Sequence, residues 1–204
     1  MLPFLIALAF GFFGSIPVAG PISAVVLERA LAGRGSSGFF VALGGAIAEA
    51  AWAFLAAWGM GGLLVRYPQV MNTSRVVGAV LLFILGAVFA FRPPTFAPGR
   101  KPSRWIQSGA FVFGFVVTAI NPTLLVTWGT AVATLYSTGL VASDPQHALP
   151  FAAGAFVGIV AWFGLLLGLV QRYHERMSRA VIEKVVRGTG VVLMMIGIWV
   201  GVWR

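Results

Sequence analysis

Apolar residues run along this chain in six long stretches, separated by short segments that carry most of the charge. Runs of about 20 apolar residues are long enough to cross the hydrocarbon core of a bilayer as helices. They lie at about 2–27, 39–64, 76–91, 108–136, 149–170 and 188–203. Two of them contain prolines well inside the run. Pro17 and Pro21 interrupt the first, and Asn121-Pro122 interrupts the fourth. Proline lacks the backbone N–H and clashes with the carbonyl four residues earlier. The breaks therefore leave the carbonyls of Phe13, Pro17 and Thr118 short of a helical partner. In lipid such groups are tolerated only where protein or a water-filled cavity meets them. Breaks at matching places in the two halves of a hydrophobic chain point to a solute site near the bilayer midplane, and so to a transporter.

Composition agrees with this reading. The chain has 204 residues, 59% of them hydrophobic and only 9% charged, against roughly 25% charged in a soluble domain. One membrane domain, 1–204, accounts for the length. Residues 2–13 could pass for the core of a signal peptide, but no basic residue precedes them, so they are read as a retained first helix. The net charge of +9 falls between the apolar runs, which favours a role in topology and lipid headgroup contact over nucleic-acid binding. The first, third and fifth connecting segments hold 11 of the 14 Lys and Arg residues; the other side holds Arg66, Arg75 and Arg204. The basic side faces the cytoplasm, which places both termini outside. The segment 171–187 reads either as an amphipathic surface helix or as a solvated loop. With no cysteine there is no disulfide and no thiolate metal site, and no cofactor motif is present.

The two halves echo each other. Arg75 to Arg92 and Arg187 to Arg204 align without gaps, with Gly78 on Gly190 and Leu81 on Leu193. Gly44 and Trp52 match Gly154 and Trp162 at equal separation, and Phe10-Gly11-Phe12 matches Phe113-Gly114-Phe115 ahead of each break. Three spans per half is an odd number, so the second half must enter from the opposite side. The expected fold is an all-α membrane protein: six transmembrane helices as two inverted three-helix repeats, 1–92 and 105–204, with the first and fourth helices broken. The pairs Gly154/Gly158, Gly164/Gly168 and Gly197/Gly201 suit close helix packing within the chain, or a homodimer face.

The candidate site follows from the breaks. Pro21 and Pro122 can each open a restarted half-helix, where the missing N–H costs nothing. Asn121 is suited to cap the second restart, and Gly20 loosens the backbone before the first. The amide ends of two such half-helices offer a place for an anionic group. Pro17, Ser23, Thr118 and Thr123 complete the expected solute-contacting set. Glu49 is the acidic residue well inside a span. An ionisable group there costs about 2.5–3.5 kcal/mol on insertion scales and is functional by default. It is expected either to meet a solute ammonium or to carry an exchanged proton. Glu28 reads as an interfacial partner of Arg29, and Trp52 and Trp162 as walls of a cavity or as packing. No enzyme constellation appears.

These residues, in this order, resemble the LysE/RhtB family of bacterial amino-acid exporters. The likeness rests on Gly11, Ala19-Gly20-Pro21, Gly33-Arg34 and Gly38, Gly44-Gly45 with Glu49 and Trp52, and Asn121-Pro122. The family typically has Pro where this chain has Ala19, often Asp at Glu49, and often Lys at Thr123. The resemblance implies proton-coupled export of amino acids or related small zwitterions across the inner membrane. An inorganic cation exporter and a non-transporting membrane scaffold are the competing readings.

Overall fold

The computed structural model describes residues 1–16, 21–60, 68–92, 103–121, 123–137, 139, 144–174 and 178–202. Among them are eight α-helices and no strand: α1 (Leu2–Gly14), α2 (Pro21–Leu31), α3 (Gly35–Leu55), α4 (Pro68–Phe91), α5 (Arg104–Ala119), α6 (Thr123–Ser137), α7 (Ala148–His174) and α8 (Arg179–Val202). α1 and α2 fall on either side of the first proline break, and α5 and α6 on either side of the second. α2 starts on Pro21, as expected of a restarted half-helix. α3 and α7 are each long and apolar enough on their own to cross a membrane.

Several boundaries differ from the hydropathy reading. α4 begins at Pro68, eight residues ahead of the apolar run; Pro suits the first turn, where its missing N–H costs nothing. α5 begins at Arg104, where the Ser103 hydroxyl accepts a hydrogen bond from the Ile106 amide. Most of 171–187 is neither a separate surface helix nor a loop. α7 runs on to His174 and α8 starts at Arg179, so the charged residues extend the ends of long helices. α3 passes into a π-helical turn, Ala56–Met60, with Gly59 at φ 104°. Wide turns of this kind free carbonyls, and the Tyr136 hydroxyl of α6 donates to the Ala57 carbonyl at 3.0 Å.

Three helix pairs dominate the packing: α1 on α7, α3 on α5, and α4 on α8. Glycine sets the first two. A side chain at Gly44 would strike the Phe111 carbonyl, and one at Gly114 the Val41 carbonyl. Gly154 and Gly158 likewise sit on the Phe4 and Leu8 carbonyls. Backbones this close gain dispersion contacts that lipid cannot replace. Contact residues rise together along α1 and α7 (4 with 154, 8 with 158), and along α3 and α5 (36 with 107, 41 with 114, 45 with 118). Both pairs run in the same direction. α4 and α8 run oppositely, since Gly197 meets Ala79 and Gly190 meets Gly86. Gly164 and Gly168 meet nothing within 4 Å among the described residues, so that small-residue pair does not pack against any of them.

The core is built mainly from Ala and Val of α2 and α3 with Phe151, Ile159, Phe163 and Leu167 of α7. Large apolar side chains cover the outside, among them Val80, Ile84, Val192, Met195 and Trp199 of α4 and α8. So much exposed apolar surface suits lipid rather than water. Near the basic end, Glu28 pairs with Arg34 at 2.6 Å and not with Arg29. Arg29 instead donates to the Ser37 hydroxyl at 2.7 Å and lies 5.8 Å from the centre of the Phe113 ring. One hairpin turn brings Arg34 back over Glu28, whereas Arg29 points into the α3–α5 seam.

Candidate functional site

The carbonyls of Phe13 and Thr118 find protein partners. Phe13 O accepts from the Ile16 amide at 3.2 Å. Thr118 O accepts from the Asn121 amide at 3.1 Å and from Trp52 Nε1 at 3.3 Å. The Asn121 carbonyl in turn accepts from the Leu124 amide at 3.2 Å, which starts α6. At the second break the described residues on either side of Pro122 are held by these backbone hydrogen bonds and tied to α3 by an indole across 66 residues of sequence.

Between the two breaks lies a cavity of about 290 Å³. α1 contributes its last residue, Gly14, followed by Ser15; α2 contributes Pro21, Ile22 and Ser23. α3 adds Gly45, Ala46 and Glu49; α5 adds Val117 and Thr118. Asn121 and Leu124 come from the second break, and Ile159 and Phe163 from α7. Five residues singled out from sequence therefore converge here: Pro21, Ser23, Glu49, Thr118 and Asn121. Pro17, Gly20 and Pro122 lie outside the described residues. The backbone of Thr123 opens α6, and its side chain is likewise outside the described set. Trp52 and Trp162 do not line the cavity. Trp52 supports Thr118 from behind, and Trp162 packs edge-on against Phe12 at 5.7 Å.

The polar groups are few; Ser15, Glu49 and Asn121 are half-buried, and Ser23 and Thr118 are buried. Ser23 is 8% exposed and Thr118 4%. The Ser15 hydroxyl is occupied, donating to the Gly11 carbonyl at 2.7 Å. The Thr118 hydroxyl oxygen has no hydrogen-bond partner among the described residues. A buried hydroxyl left so is rare in folded proteins, and this one lines a space large enough for a small molecule. Glu49 is the one titratable side chain among the described lining residues. Its Oε1 accepts a hydrogen bond from Trp128 Nε1 of α6 at 3.3 Å. Trp128 is itself 5% exposed and fixed by an edge-on contact with Phe151 of α7 at 5.8 Å.

Sequence reasoning did not find Trp128, Ile159 or Phe163. Trp128 and Glu49 are 79 residues apart, and an apolar residue on an apolar helix carries no local mark of facing a cavity. A hydrogen bond of this kind contributes about 1 kcal/mol net. Trp128→Phe is expected to leave the protein folded and to slow transport about fivefold. Unchanged flux in that variant would remove Trp128 from the support of Glu49.

A membrane helix bundle with a solute-sized cavity at paired helix breaks is the architecture of a secondary transporter. The chain belongs to the LysE-type translocator family, whose model matches residues 12–202. Among characterised proteins it is similar to the chemotactic transduction protein ChpE of Pseudomonas aeruginosa, with 30% identity over 196 residues that cover 94% of this chain and 93% of that one. No solved structure matches it.

Proposed function

We propose that this protein is a secondary exporter of amino acids or related small zwitterionic metabolites, driven by protons through Glu49. The observation that carries the proposal is the convergence of Pro21, Ser23, Glu49, Thr118 and Asn121 on one cavity. A zwitterion needs a partner for each charge. The start of α2, where Ile22 and Ser23 follow Pro21 along the cavity wall, offers backbone amides to a carboxylate. Glu49 offers a counter-charge to an ammonium. Proton and ammonium cannot share one carboxylate, so their alternation at Glu49 exchanges one for the other.

The topology belongs to the same proposal: six spans as two inverted repeats in the bacterial inner membrane, with both termini outside. The directions of packing support it. In a six-span chain the first and fifth spans run alike, the second and fourth run alike, and the third and sixth run oppositely, as α1/α7, α3/α5 and α4/α8 do. The glycine contacts support the repeat as well. Gly114 meets Val41 as Gly11 meets Ala155, and Gly44 meets Phe111 and Phe115 as Gly158 meets Leu8 and Phe12. This matching sets Gly44 beside Gly158, one helical turn on from the Gly154 suggested by sequence. Since the chain has no cysteine, single cysteines report sidedness directly. A cysteine at Gln146 should react with an impermeant maleimide on intact cells. One at Ser36 should react only after permeabilisation. The reverse pattern would invert the topology.

The function is tested by counterflow of labelled amino acids in proteoliposomes of the purified protein. Exchange of at least one of them above protein-free vesicles is expected. The name of the Pseudomonas relative favours a second reading, a membrane subunit that serves signalling without moving solute. That reading predicts no counterflow of any amino acid.

A further inference from the structure

We propose that the cavity selects a small amine-bearing solute with an apolar side chain, and that Phe163 and Ile159 of α7 form the wall that reads that side chain. This rests on the exporter reading above and deepens it.

The walls differ in chemistry helix by helix. α3 presents Glu49, α5 presents Thr118, whose hydroxyl has no partner among the described residues, and α2 presents Ser23. α7 presents Ile159 and Phe163, 1% and 4% exposed. They are four residues apart, so they stack on one face of the helix. The glycine contacts explain how the two walls come to face each other. Gly44 of α3 and Gly158 of α7 make the same contact, each with its own partner helix. Five residues further on, α3 carries Glu49 and α7 carries Phe163. One turn back, Gly45 has Ile159 as its counterpart. The scaffold is duplicated while the chemistry is not: a carboxyl on one side stands against an aryl ring on the other.

That asymmetry discriminates between solutes. An ammonium is satisfied on the α3 side. A second ammonium or guanidinium laid against α7 would be desolvated with no acid to meet it. A side-chain carboxylate would find no basic group among the described lining residues. An aliphatic or thioether side chain loses nothing there. A site that leaves a buried charge unpaired rejects that solute far more strongly than one that merely misses a methylene.

Counterflow in proteoliposomes with labelled leucine, methionine, phenylalanine, lysine and glutamate tests this. Leucine or methionine should exchange at least tenfold faster than lysine or glutamate. Phe163→Ala should shift preference from leucine toward phenylalanine, and Phe163→Leu, which keeps an apolar wall, should retain the order of the original panel. Exchange of lysine or glutamate as fast as leucine would overturn the apolar wall while leaving an exporter. An unchanged leucine-to-phenylalanine ratio in folded Phe163→Ala would do the same. Exchange of none of the panel would overturn the exporter reading, and this inference with it.

Discussion

Gly44→Leu is expected to prevent recovery of a monodisperse membrane protein, and Gly158→Leu to do the same. At Gly44 even the first carbon of a side chain would collide with the Phe111 carbonyl and lie 2.9 Å from the Phe115 amide nitrogen. At Gly158 it would collide with the Leu8 carbonyl and lie 2.8 Å from the Phe12 nitrogen. Both obstacles are helix backbone, which cannot swing aside as a long side chain does. Overpacking a well-filled core costs about 1–3 kcal/mol and occasionally more. Here four carbons must be admitted between two main chains, so the helices must separate. α3 carries Glu49 and α5 carries Thr118, so separation also dismantles the cavity. Gly164→Leu is the control: it faces open space on α7, and leucine favours helix over glycine by a sizeable fraction of about 1 kcal/mol. Size-exclusion profiles in detergent check all three. A sharp peak for Gly44→Leu, or collapse of Gly164→Leu, would contradict the packing described.

The second large effect is at Glu49. Glu49→Gln keeps the volume and can still accept the Trp128 hydrogen bond, but it cannot release a proton. Export driven by an imposed pH gradient should fall to the level of empty vesicles, a loss of more than about tenfold. The variant should run as a folded protein, because the hydrogen bond to α6 and the packing of α3 are preserved. Full pH-driven flux in Glu49→Gln would remove this residue from coupling. Glu49→Asp keeps the acid but withdraws it by one methylene from Trp128, and should retain partial activity.

The parts of this molecule visible in sequence are those that break a local rule. Prolines inside apolar runs, and an acid at midspan, stand out against a background that has no use for either. They led to Pro21, Asn121, Thr118 and Glu49, four members of one cavity. Helix ends were harder. Hydropathy marks the span embedded in lipid, while Pro68 and Arg179 start helices that extend beyond it. The register of the proposed repeat is also hard to read from sequence on α7. A Gly and a Trp at equal separations set Gly154 opposite Gly44, whereas under the proposed repeat the pattern of backbone contacts favours Gly158. Several glycines spaced by one turn cannot be ranked without knowing which face meets a partner. Phe163 and Trp128 were illegible for a related reason: whether an aromatic ring lines a cavity depends on residues that its own helix does not contain.

One measurement addresses the path of the solute directly. Thr118 is buried in the cavity wall, its hydroxyl without a partner among the described residues, and the chain contains no cysteine to confuse the result. In Thr118→Cys, reconstituted in proteoliposomes, a small water-soluble methanethiosulfonate should modify the thiol, and an exchanged amino acid should slow that modification. A thiol that reacts only after denaturation, or one whose rate no exchanged solute alters, would show that solute does not pass between the two helix breaks.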